Sequence, residues 1–275
     1  MDKTTIKDYY EKNAGGYNHE FFENTNDYPT LLYRQKHMLF LIESLALDST
    51  RTHIADIGCG TGDMTNALAK KGFRVSASDI ATNMVEIALK KNTEFINSGQ
   101  VDIIPADAES LPYNDKTFDL VILSGVIEYL ADDEKWMNEA KRVLKPGGYL
   151  LLNITNAGSI RRMTQQPFEK LKSFSIFRKA AHYIKHKILH NEPLHYFNFK
   201  IRTHRPKLFD QFLAYQGFEK KGQAYFDFCL LPYPLDVLVP VSYKKKLENT
   251  AYKSRQLRGC GYIVMAKKMR DRHHH

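Results

Sequence analysis

The chain has 275 residues, 43% of them hydrophobic and 12% aromatic. At about 150 residues per domain that is one large unit or two small ones. Either can bury a core without metal or disulfide staples, and a disordered chain is excluded. Three cysteines, Cys59, Cys229 and Cys260, lack CxxC spacing, which argues against a disulfide framework or zinc site and predicts no metal. The net charge of +9 is unevenly spread: residues 1–158 balance at −7 and residues 159–275 at +16. An acidic front half joined to a basic back half calls for an anionic partner at the back: nucleic acid, a membrane surface or an acidic substrate. No run of about 18 apolar residues exists, and Met1–Thr5 lack the apolar stretch of a secretory leader. The prediction is a cytoplasmic protein, peripheral at the inner membrane surface if membrane-bound at all. His273–His275 read as the start of an affinity tag.

In chain order, residues 1–48 read as helical, with Tyr9, Tyr10, Ala14 and Tyr17 at helical intervals, then a stronger stretch from Leu31 to Leu45. His53–Ile57 is a short strand that runs into Gly58-Cys59-Gly60-Thr61-Gly62, and a helix follows with Gly72 as its stop. Phe73–Ser78 is a second strand ending at Asp79. Thr82 or Asn83 would cap the next helix, Asn83 and Glu86 having capping-box spacing. Val101–Pro105 is a third strand. Phe118–Ser124 is a fourth, apolar enough to be buried on both faces. A helix over 132–144 and a fifth strand over 149–154 flank Lys145-Pro146-Gly147-Gly148. This alternation means βαβ units and a parallel sheet. A helix near 205–216 and strands near 219–228 and 261–267 would complete it. Segments 159–204 and 229–258 fall outside the pattern and hold most of the basic excess.

The glycine loop after the first strand suits an anion or cofactor, because it opens onto a helix N-terminus. It reads GxGxG, with Asp63 where a dinucleotide fingerprint has its third glycine. Asp79, ending strand two, would reach ribose hydroxyls. Asp107-Ala108, after strand three, would meet an exocyclic amine. Taken together, Ala55–Gly62, Ser78–Ile80 with Met84, Ala106–Pro112, Phe118–Val121, Ser124–Leu130 and Arg142–Gly148 resemble a class I S-adenosylmethionine-dependent methyltransferase. The resemblance is to the branch with ubiquinone- and menaquinone-biosynthesis enzymes. It implies a Rossmann-like, seven-stranded, mostly parallel α/β sheet with helices on both faces. It also implies S-adenosyl-L-methionine as cofactor, leaving as S-adenosyl-L-homocysteine. On this resemblance Gly58, Cys59 and Gly60 hold the amino-acid part of the cofactor and Asp56 supports the loop. Asp79 binds the ribose, Ile80 and Met84 sandwich the adenine, and Asp107 and Ala108 meet its edge. Ser124 and Gly125 line the floor under the sulfonium. Tyr17 and Arg34 close over the cofactor, Arg34 pairing with its carboxylate.

The implied organisation is a helical lid (1–48), a cofactor-binding core (49–158), a basic helical cap inserted after strand five (159–204) and a C-terminal helix and hairpin (205–270). A strand 6–7 insertion lies within the last unit, and 271–275 is a tag remnant. Glu128-Tyr129 stand where many relatives read Glu-His, so the histidine base of those relatives does not carry over, and Tyr129 reads as a pocket wall or as a base in its place. Glu128, Tyr129 and His195 are the catalytic candidates, and His204 is a further candidate base. A [DNS]-P-P-[YFW] tetrapeptide after strand four is absent, which disfavours an adenine N6 target. Phe168, Leu171, Phe174, Phe177, Ala181, Ile184 and Ile188 form an apolar stripe among lysines and arginines, and residues 226–240 are apolar and Pro-punctuated. Both suit a small-molecule or lipid-linked acceptor and an anionic membrane surface. The expected reaction is methylation, at oxygen in preference to nitrogen or carbon. The alternatives are a tRNA or rRNA methyltransferase using the basic half, or a non-catalytic cofactor-binding scaffold. The oligomeric state is not legible.

Overall fold

A computed structural model describes residues 3–18, 29–165, 201–228, 231, 239–251 and 259–270. The aromatic stripe of 168–188, His195 and most of the Pro-punctuated run lie outside the described residues.

Seven strands form one sheet: β1 (His53–Ile57), β2 (Arg74–Asp79), β3 (Val101–Pro105), β4 (Phe118–Leu123), β5 (Leu144–Thr155), β6 (Phe218–Phe226) and β7 (Gly261–Lys268). Their order is β3-β2-β1-β4-β5-β7-β6. All neighbours from β3 to β5 pair parallel, and β7 runs antiparallel to both β5 and β6. β6 therefore points the same way as β1–β5, so the connections leaving β5 and β6 start at one rim.

The helices are α1 (Lys3–Asn18), α2 (Pro29–Glu43), α3 (Asp63–Ala69), α4 (Thr82–Lys91), α5 (Thr93–Asn97), α6 (Glu134–Val143), α7 (Pro206–Tyr215) and α8 (Val241–Ala251). Two-residue periodicity sorts the strand side chains between two layers. Val121, Leu123, Leu150 and Leu152 face one way, packing with Trp136 of α6 and Phe209 of α7. Leu120, Ile122 and Leu151 face the other, toward Met38 of α2, Leu68 of α3 and Val85 of α4. That is why β4 is apolar throughout: it lies in the middle with both faces covered.

Three local expectations need correction. β5 begins at Leu144 and runs through Pro146-Gly147-Gly148, with a register shift against β4. The glycine pair thus marks an irregularity inside the strand, not a turn before it. Residues 93–97 form the short α5, which apolar periodicity did not reveal. The N-cap of α4 is Ala81, with no side-chain cap of its own. Glu11 of α1 does that work: its Oε1 and Oε2 accept the amides of Thr82 and Asn83, each at 2.7 Å.

Candidate active site

The glycine loop is bent back onto the next strand, Gly58 and Cys59 donating their amides to the Ser78 carbonyl at 2.7 and 2.9 Å. Gly58, Gly60 and Gly62 all adopt positive φ, at 70°, 54° and 77°. Their reasons differ. A Cβ on Gly58 would strike the Val126 side chain, and one on Gly62 would meet Asn92 Nδ2 at 2.7 Å. A Cβ on Gly60 would meet nothing within 4 Å, because it would project into a cavity. Asp63, at the start of α3, is held by Lys91 at 2.8 Å, so the residue that breaks the dinucleotide pattern is neutralised locally.

That cavity runs along the carboxyl ends of β1–β4. Asp56, Gly58, Cys59 and Gly60 line its middle, Asp79, Ile80, Met84, Asp107 and Ala108 one end, and Arg34, Ser124, Gly125 and Tyr129 the other. Twelve of the sequence-derived cofactor positions, all except Tyr17, thus converge, and so does Tyr129. Tyr17 lies in α1, and its side chain lies outside the described residues, as does His195.

Asp79 organises the loop it faces. Its Oδ2 accepts the Gly60 amide and its Oδ1 the Ala81 amide, both at 2.9 Å. Burial pushes its pKa up, against the pull of those amides. Two acceptor oxygens with further lone pairs, at the end of a parallel strand, suit a vicinal diol. Asp56 is buried, accepts the Thr65 hydroxyl at 2.6 Å, and has its pKa pushed up to about 6 by desolvation. Asp107 Oδ1 accepts the Glu109 amide at 2.9 Å, and Oδ2 accepts Lys3 Nζ at 2.6 Å.

At the opposite end the Arg34 guanidinium lies against Gly125, 2.5 Å from where a Cβ would stand. Its charge acts on both Asp56 and Glu128. Gly125 is fixed by its amide, which donates to Asn153 Oδ1 of β5 at 2.8 Å. Tyr129 meets Tyr10 of α1 edge to face, with ring centroids 5.6 Å apart. Glu128 does not line the cavity: it is buried behind the wall, and desolvation raises its pKa. His204 lies at the rim beside β5, its Nε2 3.1 Å from Asp133 Oδ2. Asp133 also takes Arg202 at 2.6 Å and the Trp136 indole N–H at 3.1 Å.

Sequence reasoning missed Lys3, Ile6 and Gln35 as lining residues, and Asn153 and Glu11 as supports. Asn153 carried a signal, being a polar residue within an apolar strand run.

Residues 55–152 match the methyltransferase domain family. The chain carries a class I S-adenosylmethionine-dependent methyltransferase domain. It is 40% identical over 102 residues to a ubiquinone/menaquinone biosynthesis C-methyltransferase of Hydrogenovibrio crunogenus, covering 36% of this chain and 40% of that protein. It is 36% identical over 127 residues to a malonyl-[acyl-carrier protein] O-methyltransferase of Hahella chejuensis, covering 45% and 44%. The matched segment thus spans less than half the length of these relatives. In fold, the chain resembles an S-adenosylmethionine-dependent methyltransferase of Thermotoga maritima, with a TM-score of 0.55 and 19% identity over 94% of this chain and 98% of the other. The cofactor of this methyltransferase domain is S-adenosyl-L-methionine. The residues present fit it: a diol acceptor at Asp79, an amine acceptor at Asp107, apolar walls from Ile80 and Met84, glycine backbone at Gly60 and a guanidinium at Arg34.

Proposed function

We propose that the protein transfers a methyl group from S-adenosyl-L-methionine to a hydroxyl-bearing, apolar acceptor of small-molecule or lipid-linked type, at oxygen in preference to carbon or nitrogen. The observation that carries the reading is the single cavity joining a diol-and-amine-binding end at Asp79 and Asp107 to a carboxylate-binding end at Arg34. Bound cofactor would supply a methyl group already activated on a sulfonium, leaving S-adenosyl-L-homocysteine.

The protein's own part is positioning. Asp79 holds the ribose and the glycine loop together. Arg34 holds the carboxylate, with Asp56 and Glu128 within the reach of its charge. Tyr10 and Tyr129 wall off the methyl-bearing end and exclude water. Removal of the acceptor hydroxyl's proton accompanies attack through either oxygen or an adjacent enol carbon, and Tyr129 is a candidate that lines the cavity.

Support for an apolar acceptor comes from the rim. Arg161, after β5, approaches Asp227, after β6, at 3.9 Å, and Asn156 donates its amide to the Cys260 carbonyl at 2.7 Å. The two insertions therefore spring from one place, next to the cavity's strand ends. Met163, eight residues after β5, is 68% exposed, and Tyr243 of α8, 53% exposed, is followed in sequence by Lys244, Lys245 and Lys246. Apolar groups rimmed by lysine suit an anionic membrane surface better than RNA. No helix among the described residues is long and apolar enough to cross a membrane.

The test is labelled-methyl transfer into fractionated lipid, RNA and small-molecule extracts. Incorporation into the lipid or apolar small-molecule fraction is expected. Incorporation into RNA alone would replace the acceptor reading, and cofactor binding without transfer to any fraction would favour a scaffold.

A further inference from the structure

The helix that covers the cavity has a small apolar anchor. Ala14 of α1 packs on Ala81 and Met84, with Tyr10 and Ile87 beside them, in a cluster separate from the two that hold the sheet. Ile6 and Tyr10 nevertheless line the cavity. What holds such a helix down is then decided by its polar contacts, of which two are placed one on each side of the cavity-lining residues.

The first is Glu11. Both its oxygens cap α4, and the Asn83 side-chain amide donates to the Glu11 carbonyl at 2.8 Å. A carboxylate over two free amides at a helix N-terminus is favoured by hydrogen bonding and by the helix dipole. Burial opposes ionisation, yet those amides hold its pKa below the ordinary glutamate range.

The second is Lys3. Its ammonium bridges Asp107 Oδ2, at 2.6 Å, and Glu109 Oε2. The Glu109 side chain is 2% exposed, and its Oε1 has no hydrogen-bond partner among the described residues. Removing the lysine would leave a buried carboxylate beside a second one, a costly arrangement. Lys3 is therefore expected to stay when the cavity fills. A carboxylate oxygen has more than one acceptor site, so an amine arriving from inside the cavity can share Asp107 with it.

We propose that Lys3 is a cofactor-site residue that latches α1 over the adenine end through Asp107 and Glu109, and that with Glu11 it sets the rate at which cofactor and product exchange. The proposal rests on the reading of the cavity as an S-adenosyl-L-methionine site. Lys3 and Glu11 act as positioning residues, since neither takes part in the transfer.

The experiment measures release of S-adenosyl-L-homocysteine by stopped flow from the full chain, wild type against Lys3→Met, Lys3→Arg and Glu11→Gln. Release about five- to tenfold faster is expected for Lys3→Met, which loses both of its ion pairs, and for Glu11→Gln, which keeps one acceptor oxygen and loses the charge and the other. Lys3→Arg should stay near wild type in both release and melting temperature; Lys3→Met, which leaves the buried Glu109 without its cation, should also melt lower, so release is compared well below every melting transition. Raising KCl to about 0.5 M should speed wild-type release but not that of a variant carrying both Lys3→Met and Glu11→Gln, because screening acts on charges already removed there. Unchanged or slower release from both single variants overturns the latch; slower release from Lys3→Met would make Lys3 a plug. Amide exchange in the cofactor-free proteins reads the latch independently. The α1 amides should exchange faster in both variants, and those of Thr82 and Asn83 faster in Glu11→Gln. If the wild type binds no S-adenosyl-L-homocysteine the cofactor reading fails, while unchanged exchange in both variants would overturn the latch on its own.

Discussion

Replacing Asp79 by Asn separates the two things this side chain does. The carboxylate takes the Gly60 and Ala81 amides, one on each oxygen, and keeps lone pairs for a diol. Asparagine has the same shape but presents an NH2 group where one acceptor stood. That group would face a backbone amide, donor against donor, and it would offer no acceptor to one ribose hydroxyl. A hydrogen bond to a charged group contributes about 1.5–3 kcal/mol, and leaving a buried donor unsatisfied costs about 1–3 kcal/mol. The two losses share one loop and do not simply add, so cofactor binding should weaken by about 2–4 kcal/mol, roughly 30- to 1000-fold. Stability should respond differently. Burial raises the Asp79 pKa, so the charged form is the costly one in the folded state above that pKa. Removing the charge offsets part of the lost hydrogen bond, and the melting temperature should move little. Calorimetric titration with S-adenosyl-L-homocysteine, paired with thermal melting, reads both quantities. Wild-type affinity should also fall with acidification at a higher pH than an ordinary aspartate would give, while the Asn variant lacks that step. A folded Asn variant that binds within threefold of wild type would refute the assignment of Asp79 to the ribose.

Gly58→Ala and Gly60→Ala should diverge although both require a positive φ, a strain of about 1–2 kcal/mol. The first also collides with Val126 and should lower the melting temperature, whereas the second projects its methyl into the cavity and should chiefly abolish cofactor binding; equal effects on melting would contradict this geometry. Asp133→Asn should destabilise the protein by about 1–2 kcal/mol near neutral pH, read by urea titration. Burial raises the Asp133 pKa, but His204, Arg202 and Trp136 outweigh it and hold it down at about 2, so this stability is present above the unfolded aspartate pKa and lost as pH falls toward 2. A gap between wild type and variant that persists undiminished at pH 2 would refute the cluster's role.

The cofactor half of the fold was legible because its signals are local. A glycine loop must follow its strand directly, and an acidic residue at a strand end needs only the strand's direction to be placed. Asp56, Gly58, Gly60, Asp79 and Asp107 all line one cavity. The supports were illegible for the opposite reason. Lys3 meets Asp107 across 104 residues and Glu11 meets α4 across 71 or more, and no periodicity in α1 marks either one. The expected capping box at Asn83 and Glu86 failed through this same competition. A capping signal records which side chains are able to satisfy an amide, not which of them arrives, and a distant carboxylate supplied both bonds.

The charge asymmetry obeys the same distinction between local and distant partners. Part of the front half's acidity is paired locally, on Lys3 by Asp107 and Glu109, on Lys91 by Asp63 and on Arg142 by Asp115 and Glu139. Lys244, Lys245 and Lys246 stand on a helix whose acidic neighbours in sequence are few, next to exposed Tyr243. A net charge of +9 thus understates the polarity of the molecule: the acidic excess lies in residues 1–158 and the basic excess beyond residue 158, where the two insertions leave the rim. An anionic surface approaching that rim would be steered toward the carboxyl ends of the strands, where the methyl-bearing end of the cavity opens. On the proposed anionic-surface reading, the protein should float with anionic vesicles, less so at high salt and not with neutral ones; equal recovery with neutral vesicles would overturn that reading.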